Sequence, residues 1–137
     1  MIKFDVQLIV YINLFENITK TNVKDCFMNN KDQLVFVVNE GQAGKAIGKG
    51  GSNAKRLEEL LKKKIKVIEF NEDIIKFTTN FLSPIKFDDI SINDKELQIK
   101  AKDSKTKGLL IGRDSKNLLQ LEQTIKKYFN IDKIKVI

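Results

Sequence analysis

A six-residue pattern occurs twice in this chain of 137 residues. Gly44-Lys45-Ala46-Ile47-Gly48-Lys49 returns 64 positions later as Gly108-Leu109-Leu110-Ile111-Gly112-Arg113, with both glycines, the isoleucine and the terminal cation kept. The correspondence runs on, Asn53 falling on Asn117, Leu57 on Leu121 and Leu61 on Ile125. Self-similarity at one fixed offset marks a duplicated module. The length suits either one ordinary domain or two small ones, and the repeat favours two, residues 1–71 and 72–137, with a short polar joint near residues 71–73. Units this small are marginal alone, which predicts that the pair packs rigidly together.

The charge is distributed to match. The net charge is +7, but it is not spread evenly. Residues 41–66 hold eight basic and two acidic side chains and residues 102–127 hold seven and three, whereas residues 69–96 hold three and seven. Positive charge therefore collects around the two glycine loops, as expected of a surface that meets phosphates. Cys26 is the one cysteine and histidine is absent. This excludes a disulfide framework and the usual zinc spacings, and it removes the commonest general base. Cys26 reads as a small core residue. The apolar run at residues 6–15 is interrupted by Gln7 and Asn13, too short and polar for a membrane span or a signal peptide, so a cytoplasmic protein is expected.

Periodicity gives the same element order in both halves. Residues 3–19 fit a helix with Phe4, Leu8, Tyr11, Ile12, Phe15 and Ile18 on one face. Residues 23–28 and 34–38 read as strands about a turn at residues 29–32, and residues 42–47 as a short helix stopped by the glycines. Ser52 is positioned to cap a further helix with Ala54, Leu57, Leu60 and Leu61 inward, its end marked by Lys62-Lys63-Lys64, and residues 64–70 read as a strand. In the second half, residues 74–82 form a helix ended by Ser83-Pro84, and residues 85–92 and 97–101 form strands about a turn at Asn93-Asp94. Residues 105–111 and 116–129 follow as helices, the latter with Leu118, Leu121, Ile125, Tyr128 and Phe129 inward, and residues 133–137 as the last strand.

Three phosphate-binding motifs compete for the loop Gly48-Lys49-Gly50-Gly51. The nucleotide P-loop needs Ser or Thr after Gly-Lys, where Gly50 stands, and a first glycine where Ala43 stands. The dinucleotide fingerprint needs a third glycine where Asn53 stands, and it follows a strand. The remaining reading is Gly-x-x-Gly between two short helices, the loop by which KH modules clamp a backbone of about four nucleotides. Glycine lets the ribose-phosphate chain pass close to the protein backbone. The amides that open the next helix and the Lys49 ammonium supply positive charge, and Ile47 borders a floor on which bases can rest.

The chain thus resembles the KH domain in its prokaryotic, type II form. The expected fold class is α+β: two tandem type II KH domains, each α-β-β-α-α-β with a small three-stranded sheet. Over nearly its whole length, through residues 37–53, Lys55-Arg56-Leu57, Val67-Ile68-Glu69-Phe70 and Leu82-Ser83-Pro84, it resembles the short archaeal NusA-like family of transcription termination and antitermination factors. That resemblance implies a non-enzymatic, cofactor-free and metal-free protein that binds single-stranded RNA, nascent transcript above all. It implies RNA polymerase as a further partner, and the chain is expected to act as a monomer with no membrane association. The RNA-binding residues expected are Ile47, Gly48, Lys49, Gly50, Gly51, Asn53 and Lys55, with Ile111, Gly112, Arg113 and Lys116 in the second copy. The second loop departs from the pattern, because Asp114 stands inside it and Ser115 takes the place of the closing glycine. Either residue can instead serve as a helix cap, and the first module is expected to bind more strongly. Two other readings of the same sequence are a KH protein of translation or ribosome assembly, and a polymerase-docking scaffold whose loops are only turns.

Overall fold

Residues 6–137 are described by a computed structural model, in which the chain divides between Asn71 and Glu72 into two compact units. The first contains α1 (Val6–Thr19), β1 (Val23–Met28), β2 (Gln33–Val38), α2 (Ala43–Ile47), a single 3-10 turn (Lys49–Gly51), α3 (Ser52–Leu61) and β3 (Lys64–Glu69). The second repeats the order with α4 (Ile74–Leu82), β4 (Asp89–Asn93), β5 (Glu96–Lys100), α5 (Ser104–Ile111), a 3-10 turn (Arg113–Ser115), α6 (Lys116–Tyr128) and β6 (Lys133–Val136). This is the α+β, KH-like architecture expected from the repeat.

Each unit has one three-stranded sheet, ordered β1-β2-β3 and β4-β5-β6. The first two strands of each pair antiparallel and the third joins the middle strand in parallel. Parallel neighbours cannot be joined by a tight turn, so the chain must cross over between them. In the first unit the crossover is α2, its turn and α3, and in the second it is α5, its turn and α6. Both glycine loops therefore sit midway along an obligatory crossover, at the joint between its two helices.

Burial holds each crossover on its sheet. In the first unit Phe15, Leu34, Phe36, Val38, Ala46 and Leu57 form a buried cluster with Cys26, and Phe15 stacks on Phe36 with ring centroids 4.1 Å apart. Burial of rings this size contributes on the order of 2–3 kcal/mol each. Leu8, Tyr11, Ile12 and Ile18 pack against this cluster as the helical spacing predicts, while Phe4 and residues 3–5 lie outside the described residues. Burial, with Asp25 nearby, pushes the Cys26 thiol up to about 12, which suits a core residue and not a reactive one. Side-chain carboxylates then tie helices to strands: Glu58 accepts from the Ile65 N–H at 3.1 Å, Glu69 from the Ala43 N–H at 3.2 Å and Glu16 from the Val23 N–H at 2.8 Å. In the second unit Phe77 is fully buried and packs on Phe81, Tyr128 and Phe129, beside buried Leu97, Ile99, Leu121 and Ile125.

Several local expectations change. Ser52 is the first residue of α3 and not its cap; Gly51 takes the N-cap position in a left-handed conformation, with no side-chain hydrogen bond. Leu60 faces outward at 54% exposure, since the inward stripe of this short helix is satisfied by Leu57 and half-buried Leu61. The strand expected at residues 85–92 begins only at Asp89, because the Ser83-Pro84 segment turns back through an Ile85 N–H to Leu82 carbonyl bond of 2.9 Å. The following hairpin turns at Asp94-Lys95, one residue later than expected, with positive φ at both positions as a two-residue type I′ connection requires.

Two caps missed at the sequence level start two of the three helices of the second unit, α4 and α5. Asp73 accepts from the Ile75 N–H at 2.9 Å and Asp103 from the Thr106 N–H at 2.7 Å. The bond to Thr106, reinforced by Lys102 and Lys105, holds the Asp103 carboxyl below its usual range. A carboxylate with a lowered folded-state pKa adds stability that is present above the unfolded value near 4 and is lost as pH falls through the folded value. Asp103→Asn keeps a capping oxygen without the titration, so its thermal midpoint should match the parent more closely at pH 3 than at pH 7. Thr78 Oγ1 is buried with no hydrogen-bond partner among the described residues. Thr78→Val, nearly isosteric, should raise the denaturation free energy by about 1 kcal/mol in urea titrations by removing that stranded hydroxyl.

Candidate nucleic-acid interface

The first loop is a backbone device built on glycine. Gly48 stands at φ 81°, ψ 164°, a region essentially closed to other residues, and Gly50 and Gly51 follow at φ 63° and 76°. A Cβ on Gly48 would lie 2.9 Å from the backbone N of Asn53 and 2.9 Å from Ser52 Oγ, so glycine is required by space as well as by angle. Two hydrogen bonds close the turn, Gly51 N–H to the Gly48 carbonyl at 3.0 Å and Ser52 N–H to the Lys49 carbonyl. The amides of Lys49 and Gly50 open the turn, ahead of any carbonyl within it that could accept from them.

Around that turn the cations are exposed. Lys45, Lys49, Lys55 and Arg56 all face solvent, and among the described residues none of them is in an ion pair. Lys55 Cε comes within 3.9 Å of where a Gly51 Cβ would stand, which brings its ammonium stem over the loop. Ile47, 40% exposed, supplies an apolar surface at the loop's entrance. The structure thus gathers Ile47, Gly48, Lys49, Gly50, Gly51 and Lys55 at one helix-turn-helix joint. Asn53 is there too, but its amide is engaged within the protein: Nδ2 donates to the Lys45 carbonyl at 3.1 Å.

The second loop keeps this backbone and changes its surface. Gly112, Asp114 and Ser115 have φ 77°, 55° and 60°, so two non-glycine residues hold left-handed conformations that glycine fills in the first copy. Asn117 Nδ2 donates to the Leu109 carbonyl at 3.0 Å, matching Asn53. Neither residue considered as a cap acts as one through its side chain; Ser115 takes the N-cap position of α6 with no side-chain bond, and Asp114 lies inside the turn. Arg113 and Lys116 are exposed, and Ile111 and Gly112 are half-buried beside them. Where the first unit presents Lys45 and Lys55, the second presents Leu109 and Leu119, about half exposed. Asp114 and these two leucines thus put one acid and two apolar side chains where the first unit has Gly50, Lys45 and Lys55.

Sequence reasoning missed one neighbour of the loop, Lys45, and expected an RNA contact of Asn53 without foreseeing its bridge between the helices. Lys45 was visible only as part of a basic cluster, and the asparagine bridge was visible only as a matched pair at the repeat offset. Lys45 could have been singled out by asking which side chains stand one helical turn from the loop. No cluster of three or more metal-ligating side chains occurs among the described residues. If the Gly48 geometry carries the loop, Gly48→Ala should lower stability by roughly 2–3 kcal/mol, against about 1 kcal/mol for Gly50→Ala, which meets no atom within 4 Å. Chemical denaturation of the two variants checks the order.

Comparison with known proteins places this geometry. The family model for the KH domain matches residues 9–77. The chain is 36% identical to the probable transcription termination protein NusA of Methanocaldococcus jannaschii, across 99% of this chain and 75% of that protein. It is 34% identical to the protein of the same name from Methanococcus vannielii, across 99% of this chain and 80% of that one. Among solved structures, the crystal structure of APE1850 superposes with a TM-score of 0.70 at 29% identity, covering 98% of this chain and all of that one. With a KH domain that includes the Gly48 turn and this extent of identity, the chain belongs to the archaeal NusA-like family of KH-domain proteins.

Proposed function

We propose that this protein binds single-stranded RNA through the first glycine loop and acts in transcription, holding nascent transcript and modulating termination or elongation. One observation carries the reading: an exposed Lys49, in no ion pair among the described residues, sits on a glycine turn in which Gly50 has open space where a side chain would begin. Contacts are assigned to Ile47, Gly48, Lys49, Gly50, Gly51 and Lys55, with Ile111, Gly112, Arg113 and Lys116 adding a weaker second contact. The relatives' name, transcription termination protein, supports the placement in transcription.

In this reading Lys49 pairs with a phosphate, the Lys49 and Gly50 amides satisfy its oxygens, and an unstacked base rests on Ile47. The protein acts by binding alone, as a cytoplasmic monomer, and RNA polymerase is its protein partner. No helix among the described residues is long and apolar enough to cross a membrane, which is compatible with that setting. A KH loop holds about four nucleotides, so engagement of both loops gives a footprint on the order of eight.

Lys49→Asp combined with Gly50→Asp places two carboxylates where a phosphate would sit. In filter binding with single-stranded RNA the double variant should lose about a hundredfold or more in affinity, two phosphate contacts being replaced by repulsion, while its circular dichroism stays that of the parent. Parent binding should also fall steeply with added salt. Equal affinity of parent and variant contradicts the assignment.

A further inference from the structure

We infer that Asn53 is a positioning residue for the RNA-binding turn: it sets the angle between α2 and α3, and so the aim of Lys49, without touching RNA itself. The inference rests on the RNA-binding reading above and assigns one residue's part in it. Lys45 lies in the last turn of α2, one residue after Gly44, whose carbonyl takes the Gly48 N–H that ends the helix. Asn53 Nδ2, from the first turn of α3, donates to the Lys45 carbonyl at 3.1 Å. The same side chain fills the space a Gly48 Cβ would need, its Cγ lying 3.0 Å from that position. Hydrogen bond and contact together lock the end of one helix to the start of the next across the turn.

The second unit repeats the arrangement with different surroundings. Asn117 Nδ2 lies 3.0 Å from the Leu109 carbonyl, and its Cγ lies 2.6 Å from where a Gly112 Cβ would stand. Between the two copies the outward-facing positions have diverged, Lys45 to Leu109, Gly50 to Asp114, Gly51 to Ser115 and Lys55 to Leu119. The glycine and the asparagine that bridge the helices are unchanged, and so are the loop's backbone angles. The Lys49 cation recurs too, as Arg113, so what marks the asparagine as a support is that its Nδ2 is engaged by a backbone carbonyl in both copies. A residue retained for the shape of the turn stays in both, as Asn53 and Asn117 do.

The consequence for binding is indirect and measurable. Without the Asn53 bridge the joint between α2 and α3 loosens, and the Lys49 ammonium and the turn amides no longer converge on one phosphate oxygen. The test is a double-mutant cycle read by fluorescence anisotropy with a labelled single-stranded RNA oligonucleotide, using the parent, Asn53→Ala, Lys49→Ala and the double variant. Asn53→Ala should bind roughly five- to tenfold more weakly, the effect of one lost hydrogen bond. It should also lower the slope of log affinity against log salt by about one, because the Lys49 contact goes with it. The double variant should bind no more weakly than the weaker single variant. Asn53→Leu, of similar size but without the donor, gives the same pattern, and thermal unfolding reports whether each variant is folded. Additive losses with an unchanged salt slope for Asn53→Ala overturn the inference in favour of a direct contact. Full affinity in folded Asn53→Ala or Asn53→Leu, with Lys49→Ala weakened, overturns the inference and leaves the RNA reading intact. A parent that does not bind RNA overturns that reading, and the inference with it.

Discussion

The fold of each unit turns on one crowded α-carbon. At Gly48 the chain must leave a helix, reverse and enter another within a few residues, at backbone angles that only glycine adopts and in a space that holds no Cβ. The parallel pairing of β2 with β3 makes a crossover necessary, and the turn at Gly48 allows that crossover to be two short helices folded at a joint. Gly112 does the same between β5 and β6. At this joint the Lys49 cation is exposed. The place of the candidate surface follows from the way the sheet has to be connected.

Electrostatics divides the two copies. In the first unit Glu16, Glu58 and Glu69 accept hydrogen bonds from backbone amides and so hold helices to strands. That internal use of carboxylates leaves Lys45, Lys49, Lys55 and Arg56 without acidic partners among the described residues, an open field for a polyanion. In the second unit Asp114 and the exposed leucines dilute that field at a loop of nearly identical backbone. In the proposed reading, shape alone therefore does not decide how strongly a loop of this kind binds. The side chains one helical turn away on either side decide it.

Much of this was legible before any coordinates. The repeat gave the element order twice over, and α4 begins and ends at Ile74 and Leu82 as periodicity and the Ser83-Pro84 boundary indicate. Strand β2 was legible because Leu34, Val35, Phe36, Val37 and Val38 leave no polar residue to expose, and all five are buried. The failures have local causes. Ser52 was misread as a cap because Ser is a good one, whereas three positive-φ glycines had already turned the chain before it. The early start given to β4 came from the apolar Ile85 and Phe87, which resemble a strand in composition although the first bond to β5 comes only from the Asp88 N–H, to the Lys100 carbonyl at 2.8 Å. The asparagine bridge was out of reach for a different reason. A side chain that bonds to a carbonyl eight residues back leaves no periodic trace, and only its recurrence at residue 117 hinted that it had a role.

The central claim is that the amides and the lysine of the first turn hold the RNA backbone. Amide chemical shifts recorded by nuclear magnetic resonance while single-stranded RNA is titrated into the protein address it most directly. The account predicts the largest changes at Lys49 and Gly50, smaller ones at Arg113 and Lys116, and almost none in the β1-β2 hairpin turn at residues 29–32. Large changes elsewhere with the residue 48–51 amides unmoved would contradict it.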